Sequence, residues 1–344
     1  MARSSGHDDP RRTEHVNTRT SSGLGLAVVS AMAFGLSGPF AKSLIDAGWS
    51  SAGAVLVRIG GAAAVLLLLL ALTRPGVLRA LRADGPALVV YGTLAVAGVQ
   101  VAFFNAIRYL PVSVALLLEY LGPVLVIAWV WVVRRQPPGR RTILGGLVAI
   151  VGLLLVVQVW SGGALDPAGI AWGLAAAACQ ASYFLLADRA TETPPMVLAG
   201  VGMTIGTAVV VVLGLVGVLP IVVTAPTGPV LLAGADVGWP VAAGLLVLVS
   251  TVIAYLTGVA AIERIGAARG SLIALLEVVV STIASWALLG ELPGLWQLAG
   301  GVLILLGIVL TRSGPTATAP VDPLQIVEPV PEDEPAQRAG RTPG

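Results

Sequence analysis

The feature that most constrains this chain is the scarcity of charge along most of its length. Of its 344 residues, 56% are hydrophobic and 11% are charged, whereas a soluble domain carries roughly 25% charged residues. A chain of this size with so few charges cannot cover itself with a water-facing surface. The excess apolar surface must face lipid, so the sequence predicts an all-α, polytopic membrane protein.

The apolar residues form ten runs, each close to the length of about 20 residues that a helical span needs to cross a bilayer. We number them spans one to ten, and they lie near residues 23–42, 51–72, 86–107, 112–133, 142–160, 168–187, 196–219, 238–262, 267–289 and 294–311. The polar head (1–22) and the Pro-rich, acidic tail (313–344) bury too little apolar area to fold. We expect both to be disordered.

The basic residues predict the orientation, because loops on the cytoplasmic side retain Lys and Arg. With the N-terminus inside, 17 of the 20 Lys and Arg residues fall on the cytoplasmic side. Lys42 and Arg108 fall outside, and Arg58 lies within a span. The sequence therefore predicts a multi-pass protein of the plasma or inner membrane with both termini in the cytoplasm. The basic residues form no patch of the kind that binds nucleic acid.

Two sequence markers occur once in each half of the chain. Ser113-Val-Ala-Leu-Leu-Leu-Glu119 in span four matches Ser271-Leu-Ile-Ala-Leu-Leu-Glu277 in span nine. Gly145-Gly146 followed by Gly152 in span five matches Gly300-Gly301 followed by Gly307 in span ten. Since each half holds five spans, the second half enters the membrane upside down. We expect two inverted five-helix repeats, residues 23–160 and 168–312, an arrangement typical of secondary transporters whose substrate site lies between the halves.

The sequence around these markers resembles the EamA domain of the drug/metabolite transporter superfamily. The similar segments are Ala106-Ile-Arg-Tyr-Leu-Pro-Val-Ser-Val-Ala-Leu-Leu-Leu-Glu119, the stretch from Ala261 to Glu277, Leu289-Gly-Glu-Leu-Pro293 and Gln297-Leu-Ala-Gly-Gly301. The resemblance covers roughly residues 23–312. It implies ten spans, a cavity lined by spans three, four, eight and nine with Arg58 nearby, and export, sometimes import, of amino acids, metabolites or small drugs. Family members often have Pro after the span-nine glutamate, where this chain has Val278. Pro123 lies one turn past Glu119 in span four.

Residues for other chemistries are missing. The two histidines, His7 and His15, lie in the head, and the single cysteine, Cys179, allows neither a disulfide within the chain nor a thiolate metal cluster. Lys42 does not follow the glycine-rich turn of a P-loop. Gly35-Leu36-Ser37-Gly38 is similar to the serine motif of rhomboid proteases, but no histidine outside the head could take the serine proton. We expect no enzyme activity, no cofactor and no metal.

Three ionisable side chains, Arg58, Glu119 and Glu277, lie deep within predicted spans, where each costs about 2.5–3.5 kcal/mol. Arg58 and Glu119 both lie roughly 11 Å from the outer ends of their spans. This matched depth predicts an ion pair. The pair is either a tie between helices or part of a site in which Arg58 binds a substrate carboxylate.

Glu277 lies roughly 15 Å deep, near the middle of a ~30 Å core, with no basic residue at its depth in its own half. Such a carboxyl group is a candidate for proton exchange, and the alternative is a permanently protonated acid bonded to a neighbour. Weaker candidates for substrate binding, which could equally tie helices together, are Gln100, Asn105, Gln180, Tyr183 and Tyr255.

The sequence therefore predicts a secondary active transporter that exports a small metabolite, amino acid or drug-like compound by alternating access, coupled to protons. Its partners are then the small molecule, protons and the lipid bilayer. An importer and a non-catalytic membrane scaffold or sensor are the alternatives. A homodimer is compatible with the sequence, which specifies neither the substrate nor the oligomeric state.

Overall fold

The structure is a computed structural model that describes residues 10–73, 77–135, 139–158, 165–187, 193–223, 228–265, 270 and 273–312. The described chain is mostly helical. Its helices are α1 (Pro10–Gly35), α2 (Ser37–Asp46), α3 (Ser51–Thr73), α4 (Val77–Val90), π1 (Tyr91–Gly98), α5 (Val99–Ala106), α6 (Val112–Glu119), α7 (Gly122–Arg134), α8 (Arg140–Val157), α9 (Pro167–Ala187), α10 (Pro195–Leu215), α11 (Trp239–Gly244), π2 (Leu245–Ile253), α12 (Ala254–Ile265), α13 (Leu276–Leu289) and α14 (Leu295–Arg312). Two short antiparallel strands, β1 (Leu231–Leu232) and β2 (Ala235–Asp236), form a hairpin between α10 and α11.

Seven helical segments among the described residues are long and apolar enough to cross a membrane. They are Ser21–Asp46, Ser51–Leu72, Asp84–Ala106, Val112–Val133, Arg140–Val157, Met196–Leu215 and Trp239–Ile265. Two shorter apolar helices, Leu276–Leu289 and Leu295–Leu310, follow. The prediction of a mostly helical chain with several membrane-length helices is confirmed. The number of ten crossings and the inverted repeat stay predictions.

The N-terminal head differs from its prediction where the structure describes it. Helix α1 begins at Pro10, inside the segment 1–22 that we expected to be disordered. Proline suits the first turn of a helix because its missing N–H would have no partner there. Extending an existing helix also avoids the cost of nucleating a new one. Residues 1–9 and the tail 313–344 lie outside the described residues.

Proline breaks two of the membrane-length segments. Pro39 has no N–H to donate to the carbonyl of Gly35, and the chain breaks at Leu36, between α1 and α2. Pro123 has no N–H for the carbonyl of Glu119, and the chain breaks between α6 and α7. Both breaks follow from the missing donor and the steric clash of the proline ring four residues downstream.

A third break comes just before α13, although no proline is present. The N–H of Val278 donates to the carbonyl of Leu275 at 3.2 Å, and the N–H of Glu277 donates to that of Ala274 at 2.9 Å. These bonds span three residues instead of four, so the carbonyl of Ala274 does not receive the N–H of Val278. The break therefore falls where a proline at position 278 would put it.

Helices α8 and α14 pack closely because glycines of each helix face the backbone of the other. A Cβ atom on Gly152 would lie 2.6 Å from the carbonyl oxygen of Gly300, and one on Gly300 would lie 2.5 Å from that of Gly152. A Cβ atom on Gly307 would likewise lie 2.5 Å from the carbonyl oxygen of Gly145. The glycines of the span-five marker thus contact those of the span-ten marker. Small residues allow this approach of helices in membranes.

We expect Gly152→Ala to destabilise the protein, because the added methyl group meets backbone atoms that cannot rotate away. Overpacking of this kind costs about 1–3 kcal/mol. The matched control is Gly146→Ala on the same helix, where the nearest atom to an added Cβ lies 4.0 Å away. Thermal unfolding of the two purified variants in detergent measures the loss of stability in each. Equal melting temperatures for the two variants would contradict this packing.

Candidate functional site

A cavity of about 260 Å³ lies inside the helical bundle, and we call it the central cavity. Side chains from both halves of the chain line it, and polar groups are concentrated there although most buried residues of the bundle are apolar. Its lining residues are Phe34, Ser37, Gly38, Arg58, Tyr91, Ala95, Val99, Gln100, Phe103, Leu116, Glu119, Gln180, Tyr255, Glu277 and Ser281. The central cavity therefore collects the ionisable side chains that the sequence places within spans.

Arg58, on α3, is 4% exposed and makes its polar contacts with uncharged side chains. Its Nε donates to Oγ1 of Thr251 at 3.1 Å, and its Nη1 donates to Oε1 of Gln100 at 2.5 Å. The guanidinium carbon also lies 5.5 Å from the centre of the Phe104 ring, within the range of a cation–π interaction. Arg58 thus joins α3 to α5 and to π2.

Thr251 reaches Arg58 from a π-helical segment. Its own Oγ1 donates to the carbonyl of Leu246, five residues earlier, at 2.9 Å, so the same oxygen is left to accept the Nε proton of Arg58. Helices with this wider turn are rare, and they occur often at functional sites. Another segment of this kind, π1, contributes Tyr91 and Ala95 to the cavity wall. The two π segments lie in predicted spans three and eight, which occupy matching places in the two halves.

The predicted ion pair between Arg58 and Glu119 does not form. Glu119 instead accepts a hydrogen bond from Nε2 of Gln180 at 3.2 Å, while Arg58 binds Gln100 and Thr251. The two groups do line the same cavity, as their equal depth suggested. Depth along a helix does not determine which way a side chain points, and neutral oxygens lie closer to the guanidinium.

Glu277 has a partner that the sequence reasoning missed. The phenol oxygen of Tyr120 lies 2.9 Å from Oε2 of Glu277 and 3.0 Å from the carbonyl oxygen of Ala274. Tyr120 follows Glu119 directly, in the break between α6 and α7, and Ala274 lies in the break before α13. The tyrosine therefore connects the two breaks. Tyr120 lies next to Glu119 and three residues before Pro123, and this position is the sequence feature that indicates a polar role for it.

Glu277 is also less isolated from positive charge than the sequence suggested. We expected no basic residue at its depth within its own half, but Arg58 comes from the other half and lines the same cavity. Sequence depth within one half cannot reveal a neighbour that packing brings from the other half.

The remaining candidates divide into two groups. Gln100, Gln180 and Tyr255 line the central cavity, and the ring of Tyr255 packs edge-on against Phe34 with centres 5.1 Å apart. Asn105 does not line it. Its Oδ1 accepts from Ser51 Oγ at 3.1 Å and its Nδ2 donates to the carbonyl of Val101 at 2.8 Å, so its amide ties α5 to α3. The side chain of Tyr183 lies outside the described residues.

No cluster of three or more His, Cys, Asp or Glu side chains that could hold a metal ion occurs in the described part of the chain. The polar groups of the central cavity are one guanidinium, two carboxyls, two amides and several hydroxyls. This set suits hydrogen bonding and proton transfer to a small solute.

Residues 21–158 and 167–313 match the EamA-like transporter family. The chain belongs to this family. It is therefore a multi-pass membrane transporter, and members of such families are not in general enzymes.

Individual relatives agree with the family assignment. The chain is 29% identical over 263 residues to the uncharacterized transporter YyaM of Bacillus subtilis, covering 75% of this chain and 82% of that protein. It is 25% identical over 237 residues to the uncharacterized inner membrane transporter YicL of Salmonella typhimurium, covering 67% of this chain and 73% of the relative. A crystal structure with 20% identity superposes with a TM-score of 0.56 over 85% of this chain and 96% of the other, a likeness of fold alone.

We expect Gln100→Leu to lower stability because it removes the acceptor of a buried guanidinium. A buried charged donor left without its partner costs about 1–3 kcal/mol or more. Combining Gln100→Leu with Arg58→Leu should cost less than the sum of the two single changes, since both break the same bond. Thermal unfolding of the wild type, the two single variants and the double variant measures this difference in stability.

The matched control for this cycle is Gln180→Leu, because Gln180 bonds to Glu119 and not to Arg58. Its cost should add to that of Arg58→Leu. Additive costs for Gln100→Leu and Arg58→Leu would show that the two side chains do not depend on each other.

Proposed function

We propose that this protein is a secondary active transporter that exports a small polar or amphipathic metabolite in exchange for protons. One observation carries the proposal: Arg58, Glu119 and Glu277 face a single cavity inside an apolar bundle. Ionisable groups within membrane helices are costly, and they mark the pathways of ions and substrates. A membrane scaffold or sensor has no need of them.

We also propose that ten spans form two inverted repeats, residues 23–160 and 168–312, with both termini in the cytoplasm. The two family-matching stretches support the repeat, as do the matching places of π1 and π2 in predicted spans three and eight. Further support comes from the breaks beside Glu119 and Glu277. The orientation is supported by the count of 17 basic residues on one side against two on the other.

The central cavity favours a small ligand with polar groups. Its volume of about 260 Å³ lies just below the range of roughly 300–1,000 Å³ that holds drug-sized molecules. Ser37 is buried, and its Oγ has no hydrogen-bond partner among the described atoms. A polar ligand group would satisfy this hydroxyl. A guanidinium carries five N–H donors, so Arg58 has donors beyond those bound by Gln100 and Thr251.

Proton exchange at Glu277 is supported by the geometry of Tyr120. A phenol has one proton to donate, and two acceptors, Glu277 and the carbonyl of Ala274, lie within hydrogen-bond distance. When Glu277 is ionised, the phenol donates to the carboxylate. When Glu277 is protonated, its own O–H donates to the phenol oxygen, and the phenol turns to Ala274. Each protonation state thus has its own bonding pattern, and the change between them acts on the break before α13.

We expect Glu277→Gln to abolish accumulation of substrate driven by a pH gradient while preserving exchange of substrate across the membrane. Glutamine keeps the shape and can hydrogen-bond to Tyr120, but it cannot take up or release a proton. A substrate found by thermal-shift screening, which detects ligands that stabilise the folded state, is then followed in reconstituted vesicles.

The control for this experiment is Glu263→Gln, which removes an exposed carboxyl group near the end of α12, outside the central cavity. It should accumulate substrate like the wild type. If Glu277→Gln vesicles accumulate substrate with the wild-type pH dependence, Glu277 has a structural role and the coupling assignment fails.

A further inference from the structure

A second cavity of about 690 Å³ lies at the end of the bundle that carries Lys42. We call it the Lys42-end cavity. Its wall consists of Lys42, Ser43 and Asp46 of α2 with Ala47 just after it, of Gly228, Pro229, Leu231, Ala233 and Gly234 around the β-hairpin, and of Trp286 to Glu291 at the end of α13 and just beyond it. The hairpin is attached to this wall, because the N–H of Ala233 donates to the carbonyl of Leu288 at 2.8 Å.

The same two helices, α2 and α13, line both cavities. On α2, Gly38 faces the central cavity and Lys42 faces the Lys42-end cavity. On α13, Ser281 faces the first and Trp286 faces the second. At 1.5 Å per residue, these steps correspond to only about 6 to 8 Å along each helix. A thin layer of side chains therefore separates the two cavities.

Val112, at the start of α6, forms part of this layer. It is fully buried, and its side chain packs so closely on Gly38 that no Cβ atom would fit there. Its backbone N–H has no partner within the helix, as is usual at a helix start, and it donates to Oε2 of Glu291 at 3.0 Å. Glu291 thus fixes the residue that closes the layer.

Lys42 completes the closure. Its Nζ lies 3.3 Å from Oε1 of Glu291 and donates to the carbonyl of Ile107 at 2.7 Å. The ion pair is partly buried, with side chains 15% and 18% exposed. It joins three parts of the chain, namely α2, the turn between α5 and α6, and the loop after α13. Separating α2 from α13 requires breaking it.

The helix that carries Lys42 begins at a break in the chain. Helix α2 is separated from α1 by the break at Leu36. Next to this break, a Cβ atom on Gly35 would lie 2.9 Å from the carbonyl oxygen of Glu277. The break before α2 therefore lies directly against the backbone of Glu277. We expect a movement of α13 around Glu277 to be passed on to the start of α2.

We infer that the transport path continues from the central cavity into the Lys42-end cavity between α2 and α13, and that the Lys42–Glu291 ion pair is the gate between them. The inference rests on the proposed function, because a gate has a purpose only on a path. The solute that passes is the same small polar molecule. In the structure the gate is closed.

Accessibility of a cysteine tests the gate without any substrate. The single native cysteine is removed as Cys179→Ser, and Ser37→Cys places a thiol on the central cavity, at a hydroxyl that has no hydrogen-bond partner among the described atoms. A charged, membrane-impermeant methanethiosulfonate is added to either face of the membrane, to intact cells or to inverted vesicles. The rate of labelling measures how often the thiol is reached from that face.

Lys42→Met and Glu291→Gln should each raise the labelling rate from the face that carries Lys42 by roughly tenfold, the size expected for losing one charge-assisted bond. The double variant should label no faster than the faster single variant, because both changes open the same gate. Lys42→Arg keeps the cation and should label like the wild type. Glu291→Gln keeps the size of the side chain and serves if Lys42→Met folds poorly.

The control is Asp166→Asn, which removes an exposed charge just before α9, outside both cavities. It should leave the labelling rate unchanged. Unchanged rates in Lys42→Met and Glu291→Gln would overturn the gate, and so would an equal rise in Asp166→Asn or on both faces. Because labelling needs no substrate, a failed gate leaves the proton-coupling assignment of Glu277 standing. Failure of that assignment likewise leaves the labelling result valid.

Discussion

The structure depends on placing one guanidinium inside an apolar bundle. An uncompensated charge in a membrane interior is expensive, and Arg58 is buried at 4% exposure. The cost is offset by Gln100, Thr251 and the ring of Phe104. Because these partners come from α5 and from π2, Arg58 holds parts of both halves around the central cavity. Without these three partners, the charge of Arg58 would be buried with nothing to offset its cost.

The carboxyl groups depend on backbone breaks in the same way. Pro123 frees the carbonyl of Glu119 and turns the chain at Tyr120. The phenol of Tyr120 then reaches Glu277 and the carbonyl of Ala274, which the break before α13 leaves without the N–H of Val278. A polar side chain from one half thus bonds to the interrupted helix of the other, at a carbonyl that also accepts the N–H of Glu277. Glu277 is in turn linked to the backbone beside the break before α2.

The sequence predicts what depends on composition and on single residues. Apolar runs identify the membrane class, and charges within them identify Arg58, Glu119 and Glu277 as residues that need an explanation. The side-chain partners could not be predicted, because they depend on how each helix is oriented about its axis and on which helices pack together. Equal depth suggested that Arg58 pairs with Glu119, yet Gln100 and Gln180 take those positions. Asn105 looked like a site residue, but its amide bonds to Ser51 and Val101. The contact of Tyr120 with Glu277 joins residues 157 positions apart, beyond the reach of any local pattern.

The central claim is that Glu277 gains and loses a proton inside a cavity shared by the two halves. Infrared difference spectroscopy of the purified protein tests this most directly, because the carbonyl stretch of a protonated carboxyl group appears and disappears with its proton. Spectra of the wild type across the physiological pH range should contain such a band, bonded to Tyr120 and therefore shifted in Tyr120→Phe. The band should be absent from Glu277→Gln. Identical difference spectra for the wild type and Glu277→Gln would contradict the account.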